Sequence, residues 1–263
     1  MKTQPLVHRR TKIVATVGPA SESEDMLGRL IHAGVDVFRL NFSHGDAATH
    51  AKVAARIRKQ ARHAGRYVGI LADLQGPKIR IRGFADGAVA LTAGDPFRLD
   101  LDIAPEEGDV RGVGVEYEPL PESVEVDDIL LLDDGKLRLR VDDVHPRAVD
   151  CTVLIGGRLS SRKGVNKLGG GLAAPALTSR DLEHIAGMNE VMPDFVAVSF
   201  VSHRGDIDQA RSLLAEIGLN PAIIAKIERA EVVADTDLLG SIIEAADGVM
   251  VARGDLGVEV GDA

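Results

Sequence analysis

The run Ala222–Glu228, AIIAKIE, poses the chemical question for the whole chain. Ala222 to Ala225 are small or branched and apolar, the composition of a strand buried on both faces of a parallel sheet. Lys226 and Glu228 follow, two positions apart. In a strand, residues i and i+2 share a side. An ammonium and a carboxylate therefore leave one face near the strand's C-terminal end. Taking such groups out of water costs on the order of several kcal/mol each unless they are paired or bind something. A mutually satisfied pair at the rim of a core and a catalytic pair both meet that requirement, and the segment alone does not choose between them.

Other strand ends carry similar polarity. Arg39, Asn41 and Ser43 are spaced i, i+2, i+4, so one face holds three polar groups while Phe38, Leu40 and Phe42 point the other way. A solvated strand face would read the same, but it is uncommon inside a parallel barrel. Asp73 interrupts an apolar run, with Lys78 and Arg80 just beyond it. Arg253, Gly254 and Asp255 follow the apolar stretch 248–252, with Gly254 allowing close backbone approach. Glu228 and Asp255, at the ends of successive strands, can share one Mg²⁺ and leave positions open for water and substrate. Arginines and a lysine around such a metal suit a phosphate group. Phosphoryl transfer rests on positioning and charge stabilisation and needs no covalent nucleophile. These residue types therefore point to a Mg²⁺-dependent phosphoryl or enolate enzyme. Neither a P-loop nor a GxSxG motif occurs, and Gly169-Gly170-Gly171 lacks the spacing of a dinucleotide fingerprint.

Such side chains need strands that end together. The pattern predicts a strand over 12–18 and a helix over 21–33, with Met26, Leu27, Leu30 and Ile31 as its stripe. Ser21 or Ser23 would be its N-cap and Gly34 its stop. A strand over 35–42, a helix over 46–64 and a strand over 68–76 follow. This rhythm signals parallel βα units. From about Lys78 to Thr178 it gives way to short alternating segments, with strands over 88–91, 97–101, 129–132 and 137–141 and a hairpin turn at Asp134-Gly135. That is a β-rich inserted domain, with Gly76-Pro77 and Pro175 suited to hinges. Its acids (Asp100, Asp102, Glu106, Glu107, Asp109) read most simply as a solvated face. The rhythm resumes with helices over 179–191 (capped by Ser179), 205–217 and 230–245, and strands over 194–200, 222–228 and 248–252. The predicted class is thus α/β. It is a TIM-type barrel, a fold of eight strands, cut after about six with its outer strands left as unpaired edges. Residues 1–77 hold the first three units, 78–178 the insert, and 179–263 strands four to six. A doubly wound open sheet is the alternative.

The 263 residues, 45% hydrophobic and 27% charged, suffice for a substantial core in one large or two smaller domains. A net charge of -9 argues against a general nucleic-acid binder but leaves room for a small anion held by local Arg and Lys. Cys151 is the only cysteine, which excludes an intrachain disulfide and fits a reducing cytoplasm. The N-terminus is basic with no apolar h-region behind it, and no apolar run approaches a membrane span. Aromatics make up 3% with no Trp, so base-stacking platforms are scarce. The expectation is a cytoplasmic protein with neither nucleic-acid nor membrane partners.

Nine segments resemble pyruvate kinases: KIVATVGPAS (12–21), FRLNFSHG (38–45), DLQGPKIR (73–80), LLLDDGKL, RKGVNKLGGGL (162–172), PALTSRD, AVSF, IIAKIERAE (223–231) and MVARGDLGVEVGD (250–262). They run through nearly the whole chain in the family's order, and DLQGPKIR and NKLGGGL look like one bacterial branch. The resemblance implies phosphate transfer from phosphoenolpyruvate to ADP, giving pyruvate and ATP in glycolysis. It implies that Lys226 stabilises the transferring phosphoryl group and the enolate. Glu228 and Asp255 would hold Mg²⁺, the Gly254 backbone would lie beside the substrate carboxylate, and Arg39 would bind the substrate phosphate. Asn41, His44, Arg80 and Lys163 would contact the nucleotide. Asn41, Ser43, Asp73 and the Leu74 carbonyl would form the family's K⁺ site, and the insert would be a lid over the site. The full-length family member is implied to be a homotetramer.

Two departures from the family matter. Many members have Glu where this chain has Lys78, and a permanent positive charge there suggests that Lys78 substitutes for K⁺ and removes the K⁺ requirement. The chain also stops where two further βα units are expected, and with them go a substrate-contacting threonine and the C-terminal regulatory domain. It is therefore expected to be an N-terminal portion that is inactive or nearly so by itself. The competing readings are a Mg²⁺-dependent aldolase or lyase barrel, which would need neither the insert nor Lys163, and a catalytically silent interaction fragment.

Overall fold

A computed structural model of the chain describes residues 9–172 and 174–261. Strand β1 (Val14–Thr16), helix α1 (Glu24–Ala33), β2 (Val37–Asn41), α2 (Ala47–His63) and β3 (Gly69–Asp73) open it in strict alternation. Eight strands follow: β4 (Ala88–Leu91), β5 (Pro96–Asp100), β6 (Gly112–Gly114), β7 (Ile129–Leu132), β8 (Leu137–His145), β9 (Ala148–Ile155), β10 (Gly157–Ser160) and β11 (Val165–Lys167). Alternation then returns with α3 (Ser179–Ala186), β12 (Phe195–Val198), α4 (Arg204–Glu216), β13 (Ala222–Ile227), α5 (Ala230–Ala234), α6 (Thr236–Ala245), β14 (Gly248–Val251) and α7 (Arg253–Val260). The α/β class is as predicted.

The alternating parts share one six-stranded sheet, in the order β1-β2-β3-β12-β13-β14, with every neighbour parallel. Among the described residues β1 and β14 each have a single neighbour, and Val14, Val249 and Val251 on them are exposed. Strand periodicity sorts the side chains. Phe38, Leu40, Ile70, Ala72, Val196, Val198, Ile223 and Ala225 are buried in one core with helix residues such as Leu27, Ile31, Ile57 and Leu214. Each large side chain so buried contributes about 1.5–3 kcal/mol. The opposite face carries Arg39, Asn41, Asp73 and Lys226.

The β4–β11 region has its own core, with Phe84, Phe97, Leu99, Leu130, Leu139 and Val149 buried together. Its strands form a two-stranded pair, β10-β4, and a six-stranded sheet in the order β11-β7-β8-β9-β5-β6. The β7–β8 turn passes through Asp133, Asp134 and Gly135 with φ of +51°, +57° and +83°, and Asp is among the few side chains that tolerate that region.

Both crossings into this unit meet at one carboxylate. The fully buried Asp181 accepts from the backbone N–H of Gln75 and Gly76 on the outgoing segment, and from the N–H and hydroxyl of Thr178 on the returning one. Thr178, not Ser179, is therefore the N-cap of α3, in a reciprocal capping box with Asp181.

Two other helices differ from expectation. The single helix predicted over 230–245 is broken at Asp235, which has extended backbone and caps α6 by accepting from the N–H of Asp237 and Leu238. Residues 253–260, for which the sequence pattern predicts no element, form α7.

Candidate active site

Lys226 lies at the centre of the polar cluster. It sits near the C-terminal end of β13, between β12 and β14. Its ammonium donates to Ser199 Oγ at 2.6 Å and lies 3.0 Å from Glu228 Oε1 and 3.4 Å from Asp73 Oδ1. Ser199 Oγ donates onward to the Leu74 carbonyl at 2.7 Å. Arg39 closes the other side, its Nε 2.5 Å from Asp73 Oδ2 and its Nη1 2.9 Å from Thr16 Oγ1. Asp73 and Glu228 are 1% and 0% exposed. Lys226 and Glu228 thus do form an ion pair, but not a closed one, because the ammonium is shared among three acceptors.

The backbone around Glu228 is held under strain. Glu228 Oε2 accepts the Phe200 N–H at 2.7 Å, and Arg229 Nε donates to the Phe200 carbonyl at 2.8 Å. Phe200 has φ +53°, unusual for a bulky residue and sustained here by bonds to both its N–H and its carbonyl. Gly76 packs against the same corner. Its φ is +67°, and an added Cβ would fall 2.8 Å from the Ser199 Cβ, so only glycine fits. Burial pushes the Glu228 carboxyl above its ordinary range, against the pull of Lys226 and the Phe200 N–H, and the negative charge of Asp255 adds to the rise.

Asp255 lies in the first turn of α7, directly after β14, which pairs with β13. Its Oδ1 accepts from Lys78 Nζ at 3.1 Å, and the same ammonium lies 3.3 Å from Asp134 Oδ1 in the β7–β8 turn. Burial alone would depress the Lys78 pKa, but the charges of Asp255 and Asp134 outweigh it and the pKa is raised. Within this constellation Arg39, Lys78 and Lys226 face Asp73, Asp134, Glu228 and Asp255, one carboxylate more than cations. Glu228 Oε1 is buried, and the Lys226 ammonium 3.0 Å away is its one neighbouring charge partner among the described residues. Surplus negative charge and a buried carboxylate oxygen that meets no donor besides the shared ammonium fit a hard divalent cation that draws its other ligands from water and substrate. Among the described residues no three His, Cys, Asp or Glu side chains cluster as a complete protein-only cage.

The remaining predicted residues are less tightly gathered. Asn41 is the register partner of Asp73, and its Oδ1 accepts the Ser43 N–H at 3.1 Å. The exposed His44 has its carbonyl 2.8 Å from His50 Nε2. Arg80 donates to the Arg162 carbonyl at 3.0 Å, and Lys163 Nζ lies 2.7 Å from Asp133 Oδ1. Both are thereby tied within the β-rich unit. Lys163 and Lys136 hold the Asp133 carboxyl below its ordinary range despite partial burial. Gly254 is exposed, and a Cβ there would meet nothing within 4 Å. Its glycine is required by neither packing nor backbone in this structure. The Lys78 ammonium bonds to Asp134 and Asp255, and among the described residues it makes no hydrogen bond to Asn41, Ser43 or Asp73.

Sequence reasoning passed over Ser199 and Asp134. Ser199 falls one residue past an apolar strand, two positions after Ala197, the register partner of Asp73, and that parity was the available signal. Asp134 reads only as a turn residue, since nothing local shows which way the hairpin leans.

The chain matches the family model for the pyruvate kinase barrel domain over residues 8–263. It is similar to the pyruvate kinase of Haemophilus influenzae (48% identity over 254 residues, 97% of this chain and 53% of the relative). Pyruvate kinase II of Salmonella typhimurium is 49% identical over the same length and the same shares, and the pyruvate kinase of Mycobacterium tuberculosis 42% over 252 residues, 96% of this chain and 52% of the relative. The chain therefore spans about half the length of the curated relatives it matches. Among the described residues no helix is long and apolar enough to cross a membrane.

Proposed function

Because this chain belongs to the pyruvate kinase family, we propose that its polar cluster is the phosphoryl-transfer site of a pyruvate kinase, acting on phosphoenolpyruvate and ADP. The observation that carries this reading is the shared ammonium of Lys226, held between Asp73 and Glu228 beside Arg39 at the C-terminal ends of parallel strands. Held so, it is aimed at charge that develops in a transition state and needs little reorganisation.

Arg39 binds the substrate phosphate as a planar donor. The Lys226 side chain stabilises negative charge on the transferring phosphoryl group and on the enolate left behind. The Gly254 backbone lies open to the substrate carboxylate. Asn41, His44, Arg80 and Lys163 contact the nucleotide, the last two from the β-rich unit, which acts as a lid that excludes water. Glu228 and Asp255 would hold Mg²⁺, which supplies charge neutralisation to substrate oxygens. In this reading residues 1–77 and 179–263 are barrel and 78–178 the lid. The open sheet leaves the isolated chain with little or no turnover, and the longer protein works as a cytoplasmic homotetramer.

A coupled assay for pyruvate formation, run on the 263 residues and on a chain extended to the relatives' length, tests this. Turnover by the longer chain that is lost in Lys226→Met supports the assignment. An active longer chain indifferent to that substitution overturns it.

A further inference from the structure

Lys78 already occupies Asp255, the carboxylate assigned above to a divalent cation. The ammonium also reaches Asp134. Lys78 lies on the segment leaving β3, Asp255 in the first turn of α7, and Asp134 in the β7–β8 hairpin, so a single side chain ties together three parts of the fold. Its side chain is 24% exposed, which leaves the contact only partly screened by water. The far end of α7 is docked independently. Glu259 accepts from the Ala230 N–H and from Asn166 Nδ2, and its carbonyl accepts the Gly169 N–H. The helix that carries Asp255 is therefore anchored at its C-terminal end, while its N-terminal turn is held through Lys78.

A carboxylate oxygen engaged by an ammonium offers less negative potential to a metal, and a metal on that carboxylate repels the ammonium. The two cations cannot use Asp255 independently, and their effects on one another are reciprocal. We propose that Lys78 is an internal competitor for the divalent cation at Asp255. Its ammonium holds Asp255 and, through Asp134, the β7–β8 hairpin while the cation is away, and cation binding frees the hairpin from the barrel side of the site. This rests on the metal assignment to Glu228 and Asp255 made above.

The test is binding of Mn²⁺, a spectroscopic substitute for Mg²⁺, to the 263-residue chain, followed by the electron paramagnetic resonance of the free ion. Lys78→Met is expected to tighten Mn²⁺ binding by about fivefold or more, and Lys78→Arg, which keeps the positive charge, to leave it within about twofold of the parent. Asp134→Asn, at a position 59% exposed and so tolerant of change, leaves the ammonium to Asp255 alone and is expected to weaken binding. That effect should vanish in the Lys78→Met background. Asp255→Asn separates the two readings. If it leaves Mn²⁺ binding intact, the metal assignment itself is wrong and this inference falls with it. If it weakens binding while Lys78→Met binds as the parent does, only the competitor role is overturned. Should Lys78→Met fail to fold, an unchanged affinity in Asp134→Asn overturns the role by itself.

Discussion

The Lys226 ammonium is fixed by a neutral group as well as by charges: it donates to the Ser199 hydroxyl on the neighbouring strand, which hands the bond on to the Leu74 carbonyl. Two carboxylates alone would let the ammonium slide between them, and the hydroxyl gives it a third, directional point. In the full-length enzyme Ser199→Ala is expected to lower kcat about tenfold with little change in KM, because misplacing a catalytic group costs rate more than binding. Ser199→Thr, which keeps the hydroxyl, should retain most of the activity. Steady-state pyruvate formation distinguishes the two variants.

Lys226→Met should cost both activity and stability. It leaves the fully buried Glu228 carboxylate with the Phe200 N–H as its remaining partner. Breaking a buried pair in this way typically costs roughly 3 kcal/mol, read as a lower urea midpoint at pH 7. The loss in kcat should be on the order of a hundredfold or more if the ammonium stabilises transition-state charge. A fully stable variant would mean that Glu228 takes up a proton when its partner is lost.

How much of this could be read beforehand depended on whether a signal was local. The β4 and β7 boundaries, the βα alternation and the one-sided placement of Arg39 and Asn41 follow from strand periodicity, which neighbouring residues display. Lys78 and Asp255 are 177 residues apart, and no periodicity links them. α7 was illegible for a different reason. Arg253–Val260 contains two glycines, each costing about 1 kcal/mol in a helix, and it lacks an apolar stripe. The helix is held by the tertiary contacts of Glu259. The break at Asp235 was hidden because residues 230–245 keep their apolar spacing across it.

Glu259, which docks the far end of the helix that carries Asp255, supplies a pH test. Burial raises its carboxyl above 4.5, against the bonds from Ala230 and Asn166, and Glu231 adds to the rise. The folded state therefore holds this proton more tightly than the unfolded chain does. The contribution is fully present below about pH 4.5 and is lost as pH rises through the folded-state pKa. Glu259→Gln can still accept from Ala230 and carries no charge. Urea midpoints from pH 4.5 to 8 should show the parent losing ground against the variant as pH rises. A constant gap would mean that the folded and unfolded values coincide.

The monovalent-ion requirement is open to a direct measurement. Asp73, the carboxylate expected from the resemblance in a K⁺ group, already faces Arg39 and Lys226, while the Lys78 ammonium is spent on Asp134 and Asp255. With these fixed cations in place, the rate of the full-length enzyme should not respond to K⁺ beyond the general effect of ionic strength. A many-fold rise with added K⁺, compared against a tetraalkylammonium salt, would count against Lys78 as its substitute.

The meeting of both linkers at Asp181 has a consequence for how the chain assembles. Gln75 and Thr178 bond to opposite oxygens of one carboxylate, so the backbone leaves and re-enters the parallel sheet at almost the same point. For the surrounding fold, the intervening residues amount to a closed loop whose entropic cost grows only slowly with its length. The β-rich unit is in that sense a cassette. Its outer loops can change length without moving β3 relative to α3, provided that the turn carrying Asp134 and the segment carrying Asn166 and Gly169, which hold Lys78 and α7, are kept.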